Sequence, residues 1–248
     1  MVAAESRTPD HVGAQSRSAD LWRRLLIVSV SAVAAYDVVF LALIGEVVPA
    51  LLAGAVLTVI GIGLLPQLRR TGIVVLGVTS LVLLVGTLPF AADHLPHPRS
   101  AIDFTHAVIG LLGRAAAVVA AIGAWRQASA AVARRVLTLL VALLATSLVV
   151  SGVAVVSGSS DRAVAGDVTA TLVDSAFPAQ LTVPSGGAIH LENLDRFRHT
   201  YTVAGTSLDV ELPASSAVRF TVDLDPGSYD VICEIPGHEF MSARLVVD

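Results

Sequence analysis

Residues 229–241 read Tyr229-Asp230-Val231-Ile232-Cys233-Glu234-Ile235-Pro236-Gly237-His238-Glu239-Phe240-Met241, and they hold the chain's one cysteine and its one methionine besides the initiator. A single cysteine forms no internal disulfide and builds no thiolate zinc cluster, so a cysteine-stapled fold is excluded. His238 lies between the two sulfurs. Upstream, Asn193-Leu194-Asp195-Arg196-Phe197-Arg198 leads into His199 at the start of an apolar-alternating segment. His199, Cys233, His238 and Met241 together offer two imidazoles, a thiolate and a thioether, the His2Cys set with a weak axial Met that suits copper in electron transfer. Soft sulfur favours Cu(I), and imidazole serves both oxidation states.

Around this stretch the hydrophobic period is two. Val168–Val173, Gln180–Val183, Ile189–Glu192, Thr200–Val203, Val218–Val222, Tyr229–Cys233 and Arg244–Val247 read as short strands. Pro184-Ser185-Gly186-Gly187, Pro213 and Asp225-Pro226-Gly227 supply turns between them. Short strands in this number with no helical stretch predict an all-β Greek-key sandwich over residues 168–248. His190 falls mid-strand and reads as solvent-facing.

Residues 168–248 resemble the cupredoxins, the blue copper proteins. The resemblance lies in Phe177-Pro178-Ala179-Gln180-Leu181-Thr182-Val183-Pro184-Ser185-Gly186-Gly187, Asn193 with His199-Thr200, Gly227-Ser228-Tyr229, and Cys233-x4-His238-x2-Met241. It implies equatorial ligands at His199, Cys233 and His238, an axial ligand at Met241, and one type 1 copper. It further implies that His238 is the electron port near the surface and that Asn193 steadies the ligand loops. Glu239 and Phe240 alone separate His238 from Met241, fewer residues than most of the family places there. The alternatives at the axial position are a three-coordinate site or a backbone oxygen.

The remainder is of a different kind. Residues 1–158 carry 11 Arg against 7 acids, and residues 159–248 carry 5 Arg against 13 acids. With 54% hydrophobic and 15% charged residues, the chain is neither an ordinary soluble enzyme nor a disordered protein. Apolar stretches at Leu25–Ile44, Val47–Leu65, Gly72–Ala91, Phe104–Trp125 and Val136–Val156 predict five transmembrane helices within residues 21–157. Gly45-Glu46 makes a tight hairpin of the first two. Residues 1–20 read as a disordered cytoplasmic tail, and residues 158–167 as a flexible linker.

Arg23, Arg24, Arg69, Arg70, Arg126, Arg134 and Arg135 fall on one side of these spans. That side is cytoplasmic by the positive-inside rule, which puts the C-terminal domain outside the cell membrane. Asp37 and Arg114 lie inside spans and are expected to pair, as a structural contact or as part of a proton or ion path. His94, His97 and His106 cluster between the third and fourth spans, a second place for a metal.

The function expected is membrane-anchored electron transfer through copper, without catalysis. A lipid bilayer and a redox partner protein, or a copper donor or acceptor, are the implied partners, and nucleic acid is not. The alternatives are copper delivery between the β-domain and the His94/His97/His106 loop, or a metal-free structural or sensory role.

Overall fold

The computed structural model describes residues 9–44, 47–238 and 240–248, with side chains from Ser18 onward. Residues 1–8, the Gly45-Glu46 turn and Glu239 lie outside the described residues. Five helices come first: α1 (Pro9–Ile44), α2 (Pro49–Leu64), α3 (Arg69–His94), α4 (Ala101–Arg126) and α5 (Ala130–Ser157). Eight strands follow: β1 (Val168–Leu172), β2 (Gln180–Val183), β3 (Ala188–Asn193), β4 (His199–Val203), β5 (Asp209–Leu212), β6 (Ser216–Thr221), β7 (Gly227–Ile232) and β8 (Ser242–Val247). The chain divides into two compact units, residues 1–91 with 106–148, and residues 92–105 with 149–248.

Ser18–Ile44 of α1, together with α3, α4 and α5, is long and apolar enough to cross a membrane. The second expected span is shorter. α2 has 16 residues, about 24 Å at 1.5 Å per residue, against a hydrocarbon core of about 30 Å. Of the expected tail, residues 1–8 lie outside the described residues and residues 9–20 form the first turns of α1. Pro9 suits a helix start, and no proline and only one glycine, Gly13, interrupts the chain from there to Ile44.

Glycines let the helices of the first unit approach closely. A Cβ on Gly61 would stand 2.5 Å from the Leu76 side chain, and one on Gly123 would stand 2.5 Å from the Trp22 ring. Trp22 is buried there and donates its indole N–H to the Ala128 carbonyl at 2.9 Å. Arg114 Nη2 reaches Asp37 Oδ2 at 2.7 Å, so the expected intramembrane pair forms, with both residues 2% exposed.

In the second unit the period of two builds a sandwich of two sheets, ordered β1-β3-β6 and β2-β8-β7-β4-β5. The inward residues of the two sheets meet in one core, including Leu172, Val183, Ile189, Leu191, Tyr201, Val203, Val231 and Leu245. Phe177 packs edge-on to Tyr201 in that core. β5 lies outside the expected strands: Asp209-Val210-Glu211-Leu212 alternates over only four residues, buries only Leu212 and pairs with β4 as an edge strand.

Residues 158–167 have no regular structure but are not a free linker. The Asp161 N–H donates to Ala217 O at 3.0 Å, and Arg219 makes a bidentate contact with Asp167, 2.8 Å on each arm. Those bonds hold the segment along β6 and hold Asp167 below the usual carboxylate range. His190 Nε2 lies 3.1 Å from the Asp161 carbonyl, so it has a partner rather than facing only solvent.

Candidate metal centre

β4 and β7 are neighbours in the five-stranded sheet, and this pairing brings distant residues together. His199 is the first residue of β4, and Cys233 follows the last residue of β7. The chain after Cys233 turns back toward β8 over two reverse turns. The His238 N–H donates to Ile235 O at 2.9 Å across Pro236-Gly237, and Gly237 has φ of +94°. Proline then glycine with positive φ is the type II arrangement, so the dipeptide that looks like a generic breaker sets where His238 projects. Next, the Met241 N–H donates to His238 O at 2.9 Å, and the Cys233 N–H donates to Met241 O at 3.3 Å, closing the loop on itself.

The result is a compact donor cluster. One ligand atom each from His199, Cys233 and His238 lies within 4.8 Å of the others, and among the described residues this is the group of three or more His, Cys, Asp or Glu able to hold a metal ion. Cys233 Sγ is 3.7 Å from His238 Nδ1, and the two imidazole centroids are 4.9 Å apart. His199 is wholly buried and Cys233 and Met241 are each 2% exposed, whereas His238 is half-buried. The Thr200 N–H points at Cys233 Sγ from 3.4 Å, a donor suited to a thiolate. Thr200 Oγ1 accepts the Glu234 N–H at 2.8 Å, tying the ligand loop to β4.

The protonation chemistry also fits a metal. His199 Nε2 lies 3.0 Å from Asp195 Oδ2, while His199 Nδ1 is buried with no hydrogen-bond partner. An orphaned buried nitrogen is costly unless its lone pair has a ligand role. Burial, aided by the nearby His238, pushes the His199 imidazole down to about 4, so it is neutral and able to ligate at neutral pH. These donors, two imidazoles and a thiolate with a buried thioether residue in the same loop, match the soft and borderline preference of copper.

Behind the cluster, Asn193 is fully buried. Its Nδ2 lies within 2.9–3.1 Å of the carbonyls of Phe197, Leu212 and Pro213, and its Oδ1 accepts the Asp195 N–H at 2.9 Å. Asp195 itself is a contributor that neither spacing nor composition reveals.

The loop histidines form no comparable group among the described residues. His94 and His97 lie in the second unit and His106 in the first. His94 Nδ1 is 3.2 Å from Asp93 Oδ2, and His97 Nε2 is 3.2 Å from Glu211 Oε2. His106 stacks on Phe40 with centroids 3.8 Å apart. Asp93 also pairs with the Arg198 guanidinium, and Asp103 accepts the Arg198 N–H at 2.9 Å, so residues 92–105 grip the approach to His199. Proximity in sequence put these histidines on one loop, but carboxylates and aromatic rings engage them.

Fold and donor set together make the second unit a cupredoxin-like β-sandwich whose His199, Cys233 and His238 could hold a metal ion, following in sequence a block of apolar helices. Among solved structures, amicyanin from Paracoccus versutus is similar at 17% identity over 35% of this chain and 85% of that chain, with a TM-score of 0.30. A reduced amicyanin variant is similar at 20% identity over 35% and 87%, with a TM-score of 0.30. The Cu-containing nitrite reductase of Thermus scotoductus is similar at 24% identity over 37% of this chain and 24% of its own length, with a TM-score of 0.29. No family model and no curated protein matches the chain.

Proposed function

We propose that the protein is a membrane-anchored electron-transfer protein whose copper site faces the extracytoplasmic side, with His199, Cys233 and His238 as equatorial ligands and Met241 as the axial one. The observation that carries this reading is the buried, unpartnered Nδ1 of His199 in a cluster with Cys233 and His238. Copper bound there supplies one-electron exchange between Cu(II) and Cu(I). The protein supplies a nearly closed site, a backbone N–H to the thiolate, and a half-buried imidazole at His238 as the path to the surface. Met241 is buried and its backbone is hydrogen-bonded to both His238 and Cys233, which supports the axial role.

Electron carriage is favoured over catalysis because residues 159–248 contain only three histidines, His190, His199 and His238. A second copper of the kind used in nitrite reduction needs more. The 13 acids against 5 Arg of residues 159–248 give the domain a negative field that steers cationic partners and makes association salt-dependent.

The outward orientation requires α2 to cross despite its length. If α2 stayed on one side, Arg23 and Arg24 would face the opposite compartment from Arg69 and Arg70. Val47, Val48 and Leu65 extend its apolar stretch at both ends.

The test is a visible spectrum of the purified full chain with Cu(II). An intense thiolate-to-copper charge-transfer band that vanishes in Cys233→Ser supports the reading. A colourless, tightly held Cu(I) points instead to copper delivery, and a folded protein that retains no copper sinks both.

A further inference from the structure

The carboxylate of Asp195 is the centre of a second set of contacts behind the donor cluster. Its Oδ1 accepts the Asp174 N–H at 2.9 Å, and its Oδ2 accepts the Ser175 N–H at 2.8 Å. Asp174 and Ser175 both have φ of +54°, a left-handed conformation that L-residues adopt at a cost, and this aims two successive N–H groups at one side chain. The backbone of Asp195 is pinned as well, since its N–H donates to Asn193 Oδ1 at 2.9 Å and its carbonyl accepts the Ser215 N–H at 2.8 Å. So fixed, Oδ2 faces His199 Nε2 at 3.0 Å.

Proton bookkeeping then decides the state of His199. Both Asp195 oxygens already act as acceptors for backbone N–H groups, so the ring nitrogen that faces Oδ2, Nε2, is the one that carries the hydrogen. In a neutral imidazole the other nitrogen, Nδ1, then keeps its lone pair. That is the atom the structure leaves buried and without a partner.

We propose that Asp195 is a positioning residue that locks His199 in the Nε2–H tautomer and places a carboxylate one imidazole away from the metal, raising affinity for Cu(II) and lowering the reduction potential. This rests on the copper reading above and assigns what tunes that site. A carboxylate on the far nitrogen of a ligating histidine raises the basicity of the near one, and losing such a partner typically lowers metal affinity 10–100-fold. Negative charge stabilises Cu(II) more than Cu(I), so the potential falls when the carboxylate is present and rises when it is removed.

The first measurement uses the unaltered, metal-free full chain in detergent. The 15N shifts of His199 near neutral pH are expected to show a protonated Nε2 and a lone pair on Nδ1, and the reverse tautomer overturns the proposal whether or not any variant folds. The second uses Asp195→Asn, with Glu192→Gln as a control that removes an exposed carboxylate from β3. Asp195→Asn is expected to bind Cu(II) 10–100-fold more weakly, to keep the charge-transfer band, and to show a higher reduction potential, none of which Glu192→Gln changes. Copper binding by the unaltered chain with no change of affinity or potential in Asp195→Asn overturns the role of Asp195 alone. Failure of the unaltered chain to bind copper overturns the site itself, with the tautomer still on record.

Discussion

Asn193 donates from its side chain to the carbonyl of Leu212 at 3.0 Å, and Leu212 is the residue paired with His199 across β4 and β5. One buried amide therefore links the end of β3 to the strand that flanks His199. Replacing Asn193 with Ala removes the side-chain partner of the Asp195 N–H and of the Phe197, Leu212 and Pro213 carbonyls, at a fully buried position. The expected loss is roughly 2–4 kcal/mol of domain stability, from about 1–3 kcal/mol for each buried group left unsatisfied. Thermal unfolding followed by circular dichroism checks this, and an unchanged melting temperature contradicts it.

Gly237 holds the turn that aims His238, at φ of +94°. Gly237→Ala forces a side chain into left-handed backbone at a cost of about 1–2 kcal/mol. The turn is expected to relax at His238 rather than in the core. Copper affinity should fall and the charge-transfer band should shift or weaken, while the melting temperature of the metal-free protein moves by only a few degrees.

The acid sensitivity of the metal-free protein has a definite sign. His199 is depressed from 6.5 to about 4 in the folded state, chiefly by burial. Between those values the unfolded chain binds the proton and the folded chain does not, so stability rises with pH across the window and is lost as pH falls. The full effect is about 3 kcal/mol for this one group, taking 1.36 kcal/mol per pH unit. Urea unfolding at pH 7 and pH 4.5 should show the loss, and His199→Gln should flatten it.

Within the helices, the Asp37–Arg114 pair is nearly sealed from solvent. Breaking such a pair leaves a buried charge and costs about 3–5 kcal/mol, whereas replacing both partners by apolar residues is close to neutral. Asp37→Leu alone should lower the melting temperature in detergent sharply, and adding Arg114→Met should restore most of it. If the double variant is no better than the single one, the pair carries a role beyond neutralising charge.

Orientation is checked with reporter fusions. Alkaline phosphatase, active only outside the cytoplasm, is expected to work when joined after Asp248 and to fail when joined after Gln67. Activity at Gln67 would mean that α2 does not cross.

Much of this protein was legible before any coordinates. Long apolar runs permit only helices in a bilayer, and period-two alternation with Pro and Gly turns permits little but a β-sandwich. The donors were legible because sulfur is so scarce that Cys233 and Met241 fall in a single loop beside His238. Local pattern misled where a segment's state depends on what it packs against. Asp209–Leu212 alternates over only four residues, two of them acidic, yet becomes an edge strand beside β4, and residues 158–167 look free but are bonded along β6. The tertiary structure alone decided which histidines meet, drawing His199 and His238 to Cys233 through the β4–β7 pairing while carboxylates and rings took His94, His97 and His106. It also decided what faces His199, because Asp195 Oδ2 is brought to 3.0 Å from the ring, which no spacing along the chain encodes.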